Sequence, residues 1–351
     1  MLQRFIEQLR AAQSLTDSDV RDGIVALTDA SVATELKADF LAALAHKGET
    51  TDEIAAFATE LRARAVEPPL DDATHAGEIL DVCGTGGDRL NTFNISTTVA
   101  IVAAAAGIRV AKHGNRAITS QAGSADVLEA LGVRIDLPPA ETARCLRERG
   151  FAFFFAQQYH PAFQHIGPAR KLCAARGQRT IFNFLGPLLN PAKPSAQLVG
   201  VPRPSLCEPL ARVLQRLGAR RAMVVSGSVG TQEAWLDEFS TLGENTVAEF
   251  YQDRGFATST LGLEHFPIQR ATLADLAGGN CETNAGIIRE ILAGRERGPK
   301  RDAVLLNAAA ALFVAGRSRT LTEGWDHAAE LIDRGDATAK LEELASPWKQ
   351  R

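Results

Sequence analysis

From Thr50 onward, Ile54, Phe57, Ala58 and Leu61 fall on one face of a helix, and Thr50 with Glu53 has the spacing of a capping box that would open it. The same three-and-four spacing runs through residues 2–9 and 36–44, so the chain up to about residue 67 reads as helical. Its first stretch, MLQRFIEQLRAAQ, is amphipathic and lacks the continuous apolar region and cleavage site of a signal peptide. Residues 67–77, EPPLDDATHAG, break the pattern and read as a linker.

Beyond the linker the pattern changes. EILDVC is a short apolar run that ends in a glycine turn and leads into a helical stretch. IRVAKHG is another, followed by SADVLEALG, and RRAMVVSG is a third. Short apolar runs alternating with helical stretches predict an α/β fold with a mostly parallel central sheet. Ligands of such sheets bind beyond the carboxyl ends of the strands, so CGTGGD, KHGNR and VVSG are expected at one edge, as parts of one site. The alanine-rich stretch NAAAALFVAG, residues 307–316, suits close helix packing and reads as core.

The chemistry concentrates in DVCGTGGDRLNTFNISTT, residues 81–98. Gly84, Gly86 and Gly87 let the backbone turn sharply and bring its N–H groups close to a ligand. Asn94, Ser96 and Thr97 are good caps for the helix that follows, and exposed N–H groups at a helix start form an anion site. The loop is therefore shaped for phosphate; the plainer alternative is a glycine turn and a capped helix with no ligand. It is neither a GxxxxGK[ST] loop nor a GxGxxG fingerprint, because Arg89 stands where the last glycine of the latter belongs. In KHGNRAITSQAGSADVLEALG, Lys112 and Arg116 place two cations beside a glycine, with Ser120 and Ser124 near the next helix start. Two such loops at successive strand ends suit a ligand with more than one phosphate. Asp237 and Glu238 in AWLDEFS are adjacent carboxylates, which beside phosphates recruit Mg²⁺.

Composition narrows the field. In 351 residues, 45% hydrophobic and 23% charged, there is enough apolar material for one large domain or two modest ones. A net charge of −4 argues against a surface built for nucleic acid. No apolar run reaches the length of a membrane span. The five cysteines, Cys83, Cys145, Cys173, Cys207 and Cys281, are scattered and unpaired in spacing, which fits reduced thiols in a cytoplasm. His160 and His165 are five apart, the wrong interval for two zinc ligands on one helix face.

Taken in order, DVCGTGGD, NIST, KHGNR, GSADVLEALG, RTIFNFLGPLLNP and LDE resemble the anthranilate phosphoribosyltransferase family, of the nucleoside-phosphorylase-like phosphoribosyltransferase fold. The resemblance covers nearly the whole chain. It implies a small N-terminal helical domain over residues 1–70, to which residues 160–180 return, and a larger α/β domain over residues 75–351, with the site between them. It implies transfer of a phosphoribosyl group from phosphoribosyl pyrophosphate to the amine of anthranilate, with Mg²⁺, in a cytoplasmic homodimer. Carried over residue by residue, Gly84, Gly87 and Asp88 would form the diphosphate loop. Thr92, Asn94, Ile95, Ser96 and Thr97 would hold phosphate. Lys112, His113, Gly114, Asn115, Arg116, Ala117, Ile118, Thr119, Ser120 and Ser124 would line the phosphoribosyl site. Gly84, Asn115 and Arg170 would meet anthranilate, His113 would position rather than act as a strong base, and Ser96, Asp237 and Glu238 would hold the metal.

The sequence departs from the family pattern at two places. Ser226 stands where a histidine is usual, in a longer loop before Asp237. KLCAARGQ lengthens the segment between Arg170 and RTIFN, so that counting back from RTIFN points near Cys173 instead of Arg170. Thr119 and Ala122 replace common serines. Three alternatives stay open: a phosphoribosyltransferase of this fold with another aromatic acceptor, a pyrimidine nucleoside phosphorylase, and a non-enzymatic relative that binds nucleic acid. Arg170 and Asn115 favour anthranilate, and the Asp237–Glu238 pair with the net charge argues against the last.

Overall fold

The computed structural model describes residues 1–117, 121–230, 232–252 and 255–347, and only the backbone of Gln232. Four helices open the chain: α1 (Leu2–Arg10), α2 (Asp17–Thr28), α3 (Thr34–Lys47) and α4 (Thr51–Ala63). The Thr50–Glu53 capping box is present, and Thr16 with Asp19 forms another. Glu53 is buried because it does more than cap. It accepts hydrogen bonds from the N–H of Leu15 at 2.9 Å and from Lys47 Nζ at 2.7 Å, so one carboxylate ties three segments together.

After the short α5 (Asp72–Ala76) comes the α/β part: β1 (Ile79–Gly84), α6 (Ile95–Ala105), β2 (Arg109–Gly114), α7 (Ser124–Ala130), α8 (Pro139–Arg149) and β3 (Phe151–Phe155). Then come α9 (Ala156–Tyr159), α10 (Gly167–Ala175), β4 (Ala196–Gly200), α11 (Cys207–Arg216), β5 (Arg221–Val229), β6 (Gln232–Leu236), β7 (Asn245–Tyr251) and β8 (Gly255–Leu261). Four helices close the chain: α12 (Cys281–Leu292), α13 (Pro299–Val314), α14 (Leu321–Asp333) and α15 (Asp336–Ala345). The strand order is β3-β2-β1-β4-β5-β7-β8, with β6 beside β5. The first five strands are parallel, and β6, β7 and β8 join antiparallel. The chain proceeds from β1 to one side and returns on its other side with β4. The loop after β1 therefore sits at the switch point, where α/β sheets bind ligands.

One face of the sheet is covered by α6, α7 and α12 to α15, with the alanines of α13 allowing it to pack closely on α6 and α14. The other face shares a core with α1 to α4, α10 and α11. Segment 160–176 lies against α3: Lys37 Nζ donates to the His165 carbonyl at 3.0 Å, and Cys173 Sγ lies 3.5 Å from the Ala38 carbonyl. One expectation needs correcting. VVSG is not a strand-end loop, because β5 runs through it to Val229 and turns at Gly230 into β6. Ser226 is a buried strand residue paired in register with Thr246, and the longer loop is a β-hairpin. It is the segment after β6 that returns to the switch point.

A buried polar network pins the carboxyl end of β1. Asp81 accepts from Asn190 Nδ2 at 2.9 Å and from the His113 N–H at 3.3 Å, and Asn190 also donates to the Ala111 carbonyl at 2.7 Å. Burial pushes the Asp81 carboxyl up to about 6. Asn190→Ala should cost roughly 2–4 kcal/mol, because it removes two buried hydrogen bonds and leaves the carboxylate and carbonyl short of donors. A urea midpoint equal to that of the parent protein would detach this network from stability.

Candidate functional site

The segment after β6 lays Asp237 and Glu238 across the ends of β1 and β4. It can come this close because Gly84 and Gly200 are register partners with no side chains. A Cβ at Gly84 would lie 2.7 Å from the Asp237 carbonyl oxygen, and one at Gly200 would overlap it. Asn307, the polar exception on alanine-rich α13, holds the next residue. Its side chain accepts from the Phe239 N–H and donates to the Phe239 carbonyl, both at 2.8 Å.

The glycine loop cradles a carboxyl group of the chain itself, that of Asp237. Its Oδ2 accepts from the N–H groups of Gly86 and Gly87, the latter at 3.1 Å, and from Thr85 Oγ1 at 3.0 Å. Gly86 has φ +71°, a conformation that favours glycine. Asp88 turns back, accepting from the N–H groups of Leu90 at 3.1 Å and Asp237 at 3.4 Å. Glu238 Oε1 accepts from the Ser96 N–H at 3.2 Å, in the first turn of α6, where the helix dipole favours negative charge.

The other expected phosphate residues are placed differently. Asn94 is the cap of α6 by position only. Its amide is diverted to the Ala122 carbonyl at 3.2 Å, and its oxygen accepts from Asn284 at 2.9 Å. The Thr97 hydroxyl is buried without a hydrogen-bond partner, Ile95 is in the core, and Thr92 forms a bridge with Ala277. Lys112 is not a loop cation. It is 1% exposed on β2, donates to the Val82 carbonyl at 2.7 Å, and lies within range of the Asp81 and Glu238 charges. Arg116 is turned away, ion-paired with Asp126 at 2.9 Å and Glu129 at 2.8 Å. Asp126 also accepts from the N–H groups of Ala117 and Gly123, which closes the loop before α7. Gly114 is needed where Ser124 and the Phe153 ring press in. Asn115 accepts from Gln157 Nε2 at 3.4 Å. Ile118, Thr119 and Ser120 lie outside the described residues.

A second wall runs from His113 by ring contacts. The His113 ring meets His160 edge-on at 5.3 Å, His160 stacks on Phe163 at 5.0 Å, Phe163 meets Phe182 at 5.7 Å, and the Arg170 guanidinium lies 5.3 Å above Phe182. Among the described residues Arg170 has no ion pair, and burial pulls its pKa down. Cys173, the alternative reached by counting back from RTIFN, faces α3 instead. His113 Nδ1 lies 3.2 Å from the Gly186 carbonyl, which can only accept. Nδ1 therefore carries the proton, and buried Nε2 is left as an unpartnered acceptor. Burial holds His113 down to about 3 and His160 to about 4, so both rings are neutral at pH 7. The motifs did not single out Asp81, Asn190, Gly200 or Asn307. The first lies in the quoted loop and the second in LLNP, but neither string says what it touches.

Burial drives the Asp237 carboxyl well above the usual range, with Asp88 and Glu238 adding like charge. It raises Glu238 to about 7, with Lys112 opposing. Among the described residues no three His, Cys, Asp or Glu side chains gather to cage an ion. Two carboxylates and the Ser96 hydroxyl do fit Mg²⁺, a hard ion that keeps waters and borrows phosphate oxygens. The sign of the pH effect follows. The folded pKa of Glu238 is raised above 4.5, so its contribution is fullest below that value and is lost as pH rises through about 7. The loss is on the order of 3 kcal/mol. Thermal melts without metal should therefore fall more between about pH 5 and about pH 8 for the parent protein than for Glu238→Gln, and Mg²⁺ should raise the parent midpoint mainly at the higher pH. Identical pH profiles for the two proteins would contradict this account.

Residues 76–338 match the family model described as glycosyl transferase family, a/b domain, and residues 3–65 match its helical bundle domain. The chain is similar to the anthranilate phosphoribosyltransferases of Petrotoga mobilis, 44% identical over 98% of this chain and 96% of that protein, and of Moorella thermoacetica, 47% identical over 99% and 98%. The structure of the Thermus thermophilus enzyme superposes with a TM-score of 0.86 at 40% identity, covering 97% of this chain and 98% of that one. The Saccharomyces cerevisiae enzyme in complex with PRPP and Mg gives the same TM-score at 28% identity, covering 98% and 96%. With both its parts matched in order and its whole length aligned at this level of identity, the chain belongs to the anthranilate phosphoribosyltransferase family of glycosyl transferases.

Proposed function

We propose that the chain transfers the phosphoribosyl group of phosphoribosyl pyrophosphate to the amine of anthranilate, giving N-phosphoribosylanthranilate and pyrophosphate, in tryptophan biosynthesis. The observation that carries the reading is the wall of rings from His113 to Phe182, which ends in the unpaired cation of Arg170. A flat, neutral surface with one desolvated guanidinium suits an aromatic carboxylate. A yeast relative in complex with 4-fluoroanthranilate supports the same acceptor class.

In this reading Gly84, Gly86, Gly87 and Asp88 form the diphosphate loop. Ser96 and Thr97 at the start of α6, with Gly114, Asn115 and Ser124, hold the donor. An aryl amine is neutral at pH 7 and keeps its lone pair, so it needs placing more than a strong base. The lone acceptor of His113 Nε2 orients the amine through its N–H. Negative charge gathers on the departing pyrophosphate, and the loop N–H groups and buried Lys112 stabilise it. Asp237, Glu238 and Ser96 would hold Mg²⁺, which when bound would supply further positive charge to offset that of the leaving group.

The test is loss of anthranilate fluorescence on mixing with phosphoribosyl pyrophosphate and Mg²⁺, which the chain should produce catalytically. Arg170→Gln should raise the anthranilate KM about tenfold or more while leaving donor affinity within about twofold. Equal loss of both would take Arg170 out of the acceptor site. Donor binding without turnover would transfer the assignment to another aromatic acceptor.

We also propose a cytoplasmic homodimer. The five thiols are unpaired, and among the described residues no helix is long and apolar enough to cross a membrane. The concave face between α1 and α3, where Leu9, Ala12, Ala42 and Ala43 alternate with Arg10, Asp39, His46 and Lys47, is the surface a second copy would cover. Sedimentation equilibrium should return twice the chain mass, and Ala42→Arg should halve it. A parent protein sedimenting at one chain mass would end this proposal.

A further inference from the structure

Beside the glycine loop lies a cavity of about 230 Å³ that the proposed reaction leaves unused. Gly86 and Gly87 form one side of it, and three arginines from separate segments reach its rim: Arg89 after the loop, Arg179 after α10, and Arg203 after β4. Some exposed arginines elsewhere find carboxylates, as Arg21 does with Glu60 and Arg116 with Asp126, while others such as Arg10 and Arg270 have no ion pair among the described residues; what sets these three apart is that they share one cavity. Among the described residues Arg89, Arg179 and Arg203 have no ion pair. They are close enough that the charges of Arg203 and Arg89 weigh on Arg179. Arg89 is held at φ +61°, a conformation that costs a non-glycine residue energy and here turns it toward the cavity rim. The one lining carboxylate, Glu49, is pushed up by burial, so it offsets at most one of three positive charges.

Three converging guanidinium groups, without ion pairs among the described residues, match an anion with several charges and many acceptor oxygens. A monocarboxylate would answer one of them and leave two facing each other. We propose that this cavity is a second anion site, which takes a diphosphate-class anion separately from the donor's own diphosphate. That its natural occupant is the pyrophosphate released by the reaction rests on the function proposed above.

The experiment is calorimetric titration of inorganic pyrophosphate, at fixed Mg²⁺, into protein saturated with phosphoribosyl pyrophosphate. One pyrophosphate per chain should bind. Arg179→Gln with Arg203→Gln should weaken that binding about tenfold or more, with donor affinity within about twofold and an unchanged melting midpoint. Inorganic phosphate should bind more weakly than pyrophosphate, and benzoate should not compete. Pyrophosphate that only displaces donor, equal binding to parent and double variant, or benzoate binding in preference to pyrophosphate would each overturn the site. Arginine-dependent pyrophosphate binding without anthranilate turnover would keep the site and remove only the assigned source. Turnover with pyrophosphate acting at the donor site alone would keep the function and remove the site.

Discussion

The carboxylate of Asp237 lies on the N–H groups of Gly86 and Gly87, and much of the cleft is arranged to make that contact tolerable. It brings a second carboxylate, Glu238, into a dry place beside Asp88. Like charges so buried need compensation. Lys112 supplies it from beneath, at the cost of its own burial, and Asp81 in turn steadies Lys112. Asn190 satisfies Asp81, and Asn307 fixes the backbone just past Glu238. Each link is a buried polar group whose partner comes from a distant part of the chain.

How much of this could be read beforehand follows from where the partners lie. The helical start, the α/β pattern and the anion-shaped glycine loop depend on local spacing, and they stand in the structure. Lys112 looked like a loop cation because β2 is buried on both faces. Its strand lacks the alternation that marks one side as solvent, so the sequence does not show which way a lysine in it points. Asn94 looked like a side-chain cap, but its amide groups are engaged by Ala122 and Asn284. Asn307 sits in an alanine-rich helix that reads as pure core, and its role depends on Phe239, 68 residues away. VVSG ended a predicted strand at a glycine, yet Gly227 is a close-approach residue inside β5, where a Cβ would strike Ser240. Pairing with β6 and β7, not the local residues, sets the length of that strand.

The acceptor side follows a different logic. His113 and His160 are held neutral by burial, so the ring wall offers surface and the unpartnered Nε2 of each histidine without adding charge. Charge lies around it: carboxylates and buried Lys112 at the glycine loop, the Arg170 guanidinium over Phe182, and Arg62, whose charge weighs on both histidines.

The contact between Asp237 and the glycine loop also bears on selectivity. A carboxylate tethered to the same chain is present at a fixed, high local concentration, however dilute the protein. Any free anion that approaches these amides competes with a resident ligand. A lone orthophosphate gains only what the amides offer and must leave Asp237, crowded beside Glu238, without its hydrogen bonds from the loop. A ligand that brings a divalent cation with its phosphates gives those carboxylates a new partner as it takes the amides. The loop is thus guarded by a carboxyl group of its own chain, which a small anion arriving alone has to displace.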